Sequence, residues 1–445
     1  MGIQFLSAGA SLGEKVLFIA LGEKEENIRG NAKTFGYDLN GVTFLDLSPT
    51  ADFFVRVETY DLFSAAEVER EPVTQNIVKA IEELRPKRVF IDSLTQFRYL
   101  APDNFQFRKE VLSFLHFLSE KDATVLFSSE ATESLPDDDL QFMADGIIHF
   151  GGNSARRTIT VSKYRGSDYL PGSHSMKISS KGIEMFPFII PEPKEKVFVP
   201  KELPFGIEEF DQLLHGGLTR GTITIISGPS GAGKTSLGLT FISEAAKRGE
   251  RSKAYLFEEE LEILLSRCDG INIPVRTMLK DGNLSIVRLE PLIYSSDEFI
   301  NMIRKDVEEN NTSVVMIDSI SGYILSLQGD NLPVRLHSMC KYLQNLGVTV
   351  LIINEMETIT GDFRATEAGI SYLGDNLIFL RYLEMYGEMR KAIGVLKKRC
   401  SDFEKTLREI EITDKGIKVG KPLTGLRGIL NGTPTWITPP PERII

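Results

Sequence analysis

A chain of 445 residues is too long for one ordinary hydrophobic core, and its 42% hydrophobic, 25% charged composition is that of a soluble globular protein with two or three domains. Its net charge of −11 argues against a broad nucleic-acid-binding surface, which needs clustered Lys and Arg. No apolar run reaches the about 18 residues of a membrane span, and the N-terminus has neither the basic start nor the small-residue cleavage site of a signal peptide, so a cytoplasmic protein is expected.

The chain opens on MGIQFLSAGASLGEKVLFIAL, where Ile3, Phe5, Leu6 and Leu12 form an apolar-periodic stretch running straight into a strand-like segment, with no cap before it. Self-similarity explains this start. LRPKRVFIDSLTQF (84–97) matches NNTSVVMIDSISGY (310–323), and LSEKDATVLFSSE (118–130) matches LQNLGVTVLIINE (343–355). MADGIIHF (143–150) matches LGDNLIFL (373–380), RTITVSKYRGSDY (157–169) matches KAIGVLKKRCSDF (391–403), and KGI recurs at 181–183 and 415–417. The blocks keep their order, and the spacing predicts one α/β domain used twice, over 1–189 and 205–445. Between them, IPEPKEKVFVPKELP (190–204) carries four prolines and mixed charge, as an extended linker does. Aligning Gly13-Glu14 with Gly249-Glu250 sets Met1 opposite Leu237, so the first copy lacks a counterpart of 205–236. A parallel sheet without that strand leaves its neighbours unpaired, and a misassigned start or truncated gene is the expectation over a functional design.

In the second copy GPSGAGKT (228–235) fits GxxxxGK[ST], follows the strand TITIIS and opens a helical stretch. Gly228, Pro229, Ser230, Gly231, Ala232 and Gly233 form a loop whose backbone N–H groups close around phosphates, and the following helix adds its positive dipole end. Lys234 is expected on the β- and γ-phosphates, the Thr235 hydroxyl on Mg²⁺, and Ser236 beside it. AYLFEEE (254–260) ends a strand in Glu258 and Glu259, placed to orient water or a hydroxyl toward the γ-phosphate; acids stabilised by a helix dipole are the alternative. In the first copy Gly22 and Glu23 stand there. Asp318 ends the buried strand VVMID and is expected to hold the metal through water.

The strands TVSKYRGS (160–167) and VLKKRCS (395–401) share Lys-x-Arg, so the two-residue period points Lys163 with Arg165, and Lys397 with Arg399, to one face. They reach for a γ-phosphate on a neighbouring subunit, or serve as solubilising edge charges. Cys268, Cys340 and Cys400 read as reduced, buried thiols, and the five histidines show no metal-ligand spacing.

On these residues the chain resembles the KaiC family over nearly its whole length, through GIEEFDQLLHGGLTRGTITIISGPSGAGKTSL, the Glu pair, IDS, SYLGDNLIFLRYLE and GEMRKAIGVLKKRCSDFEKTLREIEITDKGI. The resemblance implies two tandem RecA-like P-loop NTPase domains with mostly parallel central sheets, the first truncated at its N-terminus. It further implies a homohexamer of two stacked rings, ATP and Mg²⁺ between subunits, and slow hydrolysis. In some members it implies Ser/Thr autophosphorylation near the second site. There this chain reads Ser371-Tyr372-Leu373-Gly374-Asp375, keeping one acceptor, Ser371, and replacing the other with tyrosine. The expected function is an ATP-hydrolysing regulatory ring with autokinase activity and a signalling partner. The alternatives are a RecA-type nucleic-acid-dependent motor or recombinase, against which the acidic charge stands, and an ATP-gated signalling scaffold.

Overall fold

The computed structural model describes residues 1–48, 65–100, 103–131, 137–152, 156–191, 201–327, 331–356, 370–431 and 434–437. The chain divides into two compact units, Met1–Met185 and Phe186–Ile445. The first unit has strands β1 (Val16–Ala20), β2 (Val42–Asp46), β3 (Arg88–Asp92), β4 (Thr124–Phe127), β5 (Gly146–Gly152), β6 (Arg157–Tyr164), β7 (Ser173–Ser179) and β8 (Gly182–Phe186). In the second, β9 (Glu202–Leu203) and β10 (Leu218–Thr219) form a short ribbon. The remainder are β11 (Ile223–Pro229), β12 (Ser252–Leu256), β13 (Leu284–Arg288), β14 (Val314–Asp318), β15 (Thr349–Met356), β16 (Asn376–Met385), β17 (Glu388–Lys398), β18 (Arg408–Thr413) and β19 (Gly416–Pro422).

These last nine strands form one sheet, ordered β13-β12-β14-β15-β11-β16-β17-β18-β19. Its pairs are parallel from β13 through β16 and antiparallel beyond. The parallel strands are apolar runs because both faces are covered. Ile226, Met316 and Leu351 pack on one face with Leu237, Phe241 and Leu264 from helices Lys234–Lys247 and Leu261–Gly270. Ile225, Ile317 and Ile352 pack on the other with Phe299, Ile303, Met339 and Leu343 from helices Ser296–Asn310 and Leu332–Asn345. This is the three-layer α/β architecture expected of a RecA-like domain.

The repeat is visible strand by strand. The order β2-β1-β3-β4 of the first unit reproduces β13-β12-β14-β15, and β5-β6-β7-β8 reproduces β16-β17-β18-β19. Both KGI motifs turn a hairpin on a glycine of positive φ, Gly182 at 91° and Gly416 at 105°. The chain start also finds its place: Gly2–Ser11 is a helix, and a Cβ on Gly2 would meet the Phe90 ring as one on Gly238 would meet Met316 Sδ. Each glycine thus lets a helix approach the same position of β3 or β14.

Among the described residues of the first unit, no strand stands where β11 joins β15 to β16. The sheet is therefore two four-stranded sheets, with β4 and β5 as edges. Exposure follows from this: Ile378 and Leu380 of β16 are 0% and 1% exposed, whereas Ile148 and Phe150, their counterparts on β5, are 39% and 51%.

Residues 187–189, grouped by the repeat pattern with the first copy, pack within the second unit. Asn301 Nδ2 donates to the Pro187 carbonyl at 3.0 Å, Arg335 lies over the Phe188 ring, and Ile189 is buried. Glu202 and Leu203, at the end of the expected linker, are β9, while residues 192–200 lie outside the described residues. Cys268 and Cys340 are buried, and burial pushes their thiols up to about 11 and about 12. Cys400 is exposed, contrary to expectation, because it lies beyond the end of β17. No helix among the described residues is long and apolar enough to cross a membrane.

Candidate functional site

The site forms where β11, β12 and β14 end together, at the carboxyl edge of the parallel sheet. β11 is buried throughout and carries Gly228 and Pro229 at its end. Ser230, Gly231, Ala232 and Gly233 then turn into the helix that begins at Lys234. The glycines are required by space and by backbone. A Cβ on Gly228 would lie 2.6 Å from the Leu380 carbonyl oxygen, and one on Gly233 would lie 2.4 Å from Ile412 Cδ1. Gly231 and Gly233 have φ of 73° and 106°, the left-handed region that glycine enters without steric cost.

Lys234 is buried and bends its Nζ over the loop to donate to the Pro229 carbonyl at 2.8 Å. Burial lowers its pKa, opposed by the charges of Glu355, Asp318 and Glu258. Thr235 Oγ1 donates to Asp318 Oδ2 at 2.6 Å, bringing together two groups 83 residues apart. Burial pushes the Asp318 carboxyl up to about 6, with the Thr235 hydrogen bond opposing and Glu259 reinforcing the rise. A half-buried carboxylate whose hydroxyl partner carries no charge fits a site that a cation completes. Two protein oxygens, with the remainder supplied by water and phosphates, are the usual holding of Mg²⁺. Among the described residues no cluster of three or more His, Cys, Asp or Glu competes for a metal.

At the end of β12 the two glutamates have different surroundings. Glu258 is exposed, and its Oε1 accepts from Ser319 Oγ at 2.8 Å. Glu259 is held by the Arg267 guanidinium, Nη2 to Oε2 at 2.6 Å and Nε to Oε1 at 3.2 Å. Arg267 Nη1 also donates to Ser236 Oγ at 2.9 Å.

Lys397, near the end of β17, and Arg399, just beyond it, lie beside the start of β16 and hold the segment that precedes it. Lys397 Nζ donates to the carbonyls of Gly374 at 2.6 Å and Ser371 at 3.3 Å, and Arg399 donates to the Tyr372 carbonyl and Asp375 Oδ1, both at 3.3 Å. In the first unit Lys163 donates to the carbonyls of Gln141 and Phe142 at 2.9 and 3.0 Å, and Arg165 to Asp145 Oδ1 at 3.1 Å. Lys398, between the paired cations, is buried with its Nζ on the Leu214 carbonyl at 2.5 Å. The two-residue period has put it on the opposite face. Ser371 and Tyr372 are exposed in a turn.

The family model for the KaiC ATPase matches residues 1–188 and 203–424, covering both units. The chain belongs to the KaiC ATPase family. It is 29% identical to the circadian clock protein KaiC3 of Synechocystis sp., over 97% of this chain and 87% of that protein. It is 28% identical to the circadian clock oscillator protein KaiC of Synechococcus elongatus, over 98% and 85%, and 26% identical to that of Acaryochloris marina, over 98% and 85%.

Around the KaiC phosphate loop stand side chains that motif reading passed over. Tyr382 OH donates to the Ser230 carbonyl at 3.3 Å, and Lys391 Nζ donates to the Gly231 carbonyl at 2.9 Å. Both lie on the β16–β17 hairpin, and nothing in their local sequence marks them. Glu355, the last residue but one of β15, stands beside Gly228 in the parallel register. Its signal was present, because it closes LIINE as Glu130 closes LFSSE, and carboxyl ends of parallel strands are where ligands bind. In the first KaiC unit Glu23, which follows β1 where Glu259 follows β12, accepts at Oε1 from Asn31 Nδ2 at 3.1 Å.

Proposed function

We propose that this KaiC-family chain binds ATP with Mg²⁺ at the second repeat and hydrolyses it, as a cytoplasmic regulatory protein that assembles into an ATP-dependent homohexamer and signals to a partner. The observation that carries the reading is the connected series at the loop: Thr235 on Asp318 at 2.6 Å, and Ser319, the next residue, on Glu258 at 2.8 Å. In this reading the loop amides and Lys234 hold the phosphates, and Thr235 with Asp318 hold the metal. Mg²⁺, when bound, neutralises charge on the transferring phosphoryl group. Glu258, aimed by Ser319, orients the attacking water and accepts its proton. Lys397 and Arg399 reach the γ-phosphate of a neighbouring copy. The test is Mg-ATP turnover by wild-type protein and Glu258→Gln. A fall of about 10²–10⁴-fold with binding of a fluorescent ATP analogue intact is expected, and undiminished turnover would overturn the role of Glu258.

Autophosphorylation on Ser371 is the second reading, favoured by the exposure of that serine on the segment that Lys397 and Arg399 hold. It would be transfer of the γ-phosphoryl group from ATP to the serine hydroxyl, releasing ADP, with Glu258 taking the hydroxyl proton. Labelling with γ-labelled ATP separates it from hydrolysis and from a purely scaffolding role.

A further inference from the structure

The two glutamates at the end of β12 share a site already rich in negative charge. Leu256, two residues before Glu258, pairs with Asp318 across β12 and β14, so Glu258, Glu259 and Asp318 all approach the place where a triphosphate brings further charge. Two unpaired carboxylates there would compete for the same water and repel the γ-phosphate. The chain separates them by giving Glu259 its own cation. Arg267 sits in the last turn of helix Leu261–Gly270, whose Leu264 and Leu265 are buried in the same core as Leu237 and Phe241 of the phosphate-loop helix. Its planar fork grips both oxygens of Glu259, and its remaining Nη1 bonds Ser236, the residue after Thr235. One guanidinium therefore ties the strand end carrying the glutamates to the first turn of the helix carrying the metal-binding threonine. A lysine ammonium cannot reproduce this fork, although it can still neutralise Glu259.

We propose that Arg267 is a positioning residue for ATP hydrolysis: by pairing Glu259 and anchoring to Ser236, it keeps Glu259 occupied, so that Glu258, held by Ser319, is the glutamate of the pair that acts, and it sets the distance of both from the phosphate loop. This inference rests on the ATPase reading above. Arg267 acts through Glu259, so its loss should lower the rate of the chemical step while leaving nucleotide affinity nearly unchanged. The harm should come chiefly from the carboxylate that is set free.

The experiment compares steady-state Mg-ATP turnover by the full chain, Arg267→Met, Arg267→Lys and the double variant Arg267→Met/Glu259→Gln. Arg267→Met is expected to lower kcat about 10- to 100-fold with KM changed less than about threefold. Arg267→Lys should lose less, and the double variant should recover most of the lost kcat because no unpaired charge remains. A purely structural arginine would not be rescued by removing the charge of Glu259. If wild-type protein shows no turnover, the ATPase reading fails and this proposal with it. If wild-type protein turns over and Arg267→Met does so equally well, only the role of Arg267 is overturned. A low kcat that Glu259→Gln does not raise overturns it as well. Circular dichroism checks the fold. Should Arg267→Met be unfolded, the exchange Arg267→Glu/Glu259→Arg decides: turnover above that of Arg267→Glu alone supports the pairing, and none overturns it.

Discussion

Arg399 donates to Asp375 Oδ1 at 3.3 Å, and in the first repeat Arg165 makes the same bond to Asp145 at 3.1 Å. In each unit the accompanying lysine, Lys397 or Lys163, caps carbonyls of the segment just before the outer antiparallel strands. The cations are thus engaged within their own chain and bind the turn that carries Ser371. Burial lowers the Lys397 pKa, with Arg399 nearby adding to the effect. Reaching a phosphate on a neighbouring copy would draw both side chains away from this turn.

The proposed role of these cations in trans is tested through assembly. Mg-ATP is expected to raise the mass of wild-type protein measured by light scattering, because a ligand that binds the assembled form more tightly than the single chain stabilises it by mass action. Lys397→Ala and Arg399→Ala should lose that response while still binding a fluorescent ATP analogue. Wild-type protein that stays monomeric with and without Mg-ATP would remove the role in trans.

Nucleotide binding should depend on a single loop. Lys234→Ala is expected to abolish binding of the fluorescent analogue by the whole chain, since GPSGAGKT is the one such motif in the sequence. Near-normal binding by this variant would show that the first repeat also holds nucleotide.

Asp318 makes stability depend on pH with a defined sign. Burial raises its folded-state pKa to about 6 from an ordinary 3.8, so the folded state holds the proton more tightly than the unfolded state. The group's contribution is therefore most favourable below about pH 4 and is lost as pH rises through 6. Without nucleotide or metal, Asp318→Asn should be more stable than wild type at pH 7.5, by roughly 1 kcal/mol or more given about 1.4 kcal/mol per pKa unit. The difference should shrink toward pH 4. Thermal melts of both proteins at the two pH values check this, and a destabilised variant at pH 7.5 would contradict it. Wild-type affinity for Mg-ATP should also weaken below pH 6, where protons compete for the carboxylate.

Any phosphoprotein formed with γ-labelled ATP should carry its label on Ser371. A tyrosine hydroxyl sits several ångströms further from its backbone, and Tyr372 is instead stacked near His337, with ring centroids 6.5 Å apart. Glu258→Gln should reduce labelling strongly. Peptide mapping that finds label on Tyr372, or label undiminished in Glu258→Gln, would contradict the geometry; unlabelled protein would leave an ATPase without kinase activity.

Much of this molecule was legible before its structure. The internal repeat, the α/β class, the phosphate loop after a strand and before a helix, and Asp318 at a strand end are all local features. Each depends on backbone preferences or on side-chain period, which a linear sequence carries directly. Alignment of the two copies set Met1 opposite Leu237, and with it came the expectation of unpaired neighbouring strands. Tertiary structure decided what lies between segments far apart in the chain. Strand order brought Thr235 to Asp318 and made β4 and β5 edges, with Ile148 and Phe150 exposed where Ile378 and Leu380 are buried. Sequence also presented Glu258 and Glu259 as equivalent. The helix after β12 had to turn back before Arg267 could take one of them and leave the other to Ser319, because hydrogen bonds form by distance and angle in space, and pairing across a fold leaves no periodic trace in the residues that make it.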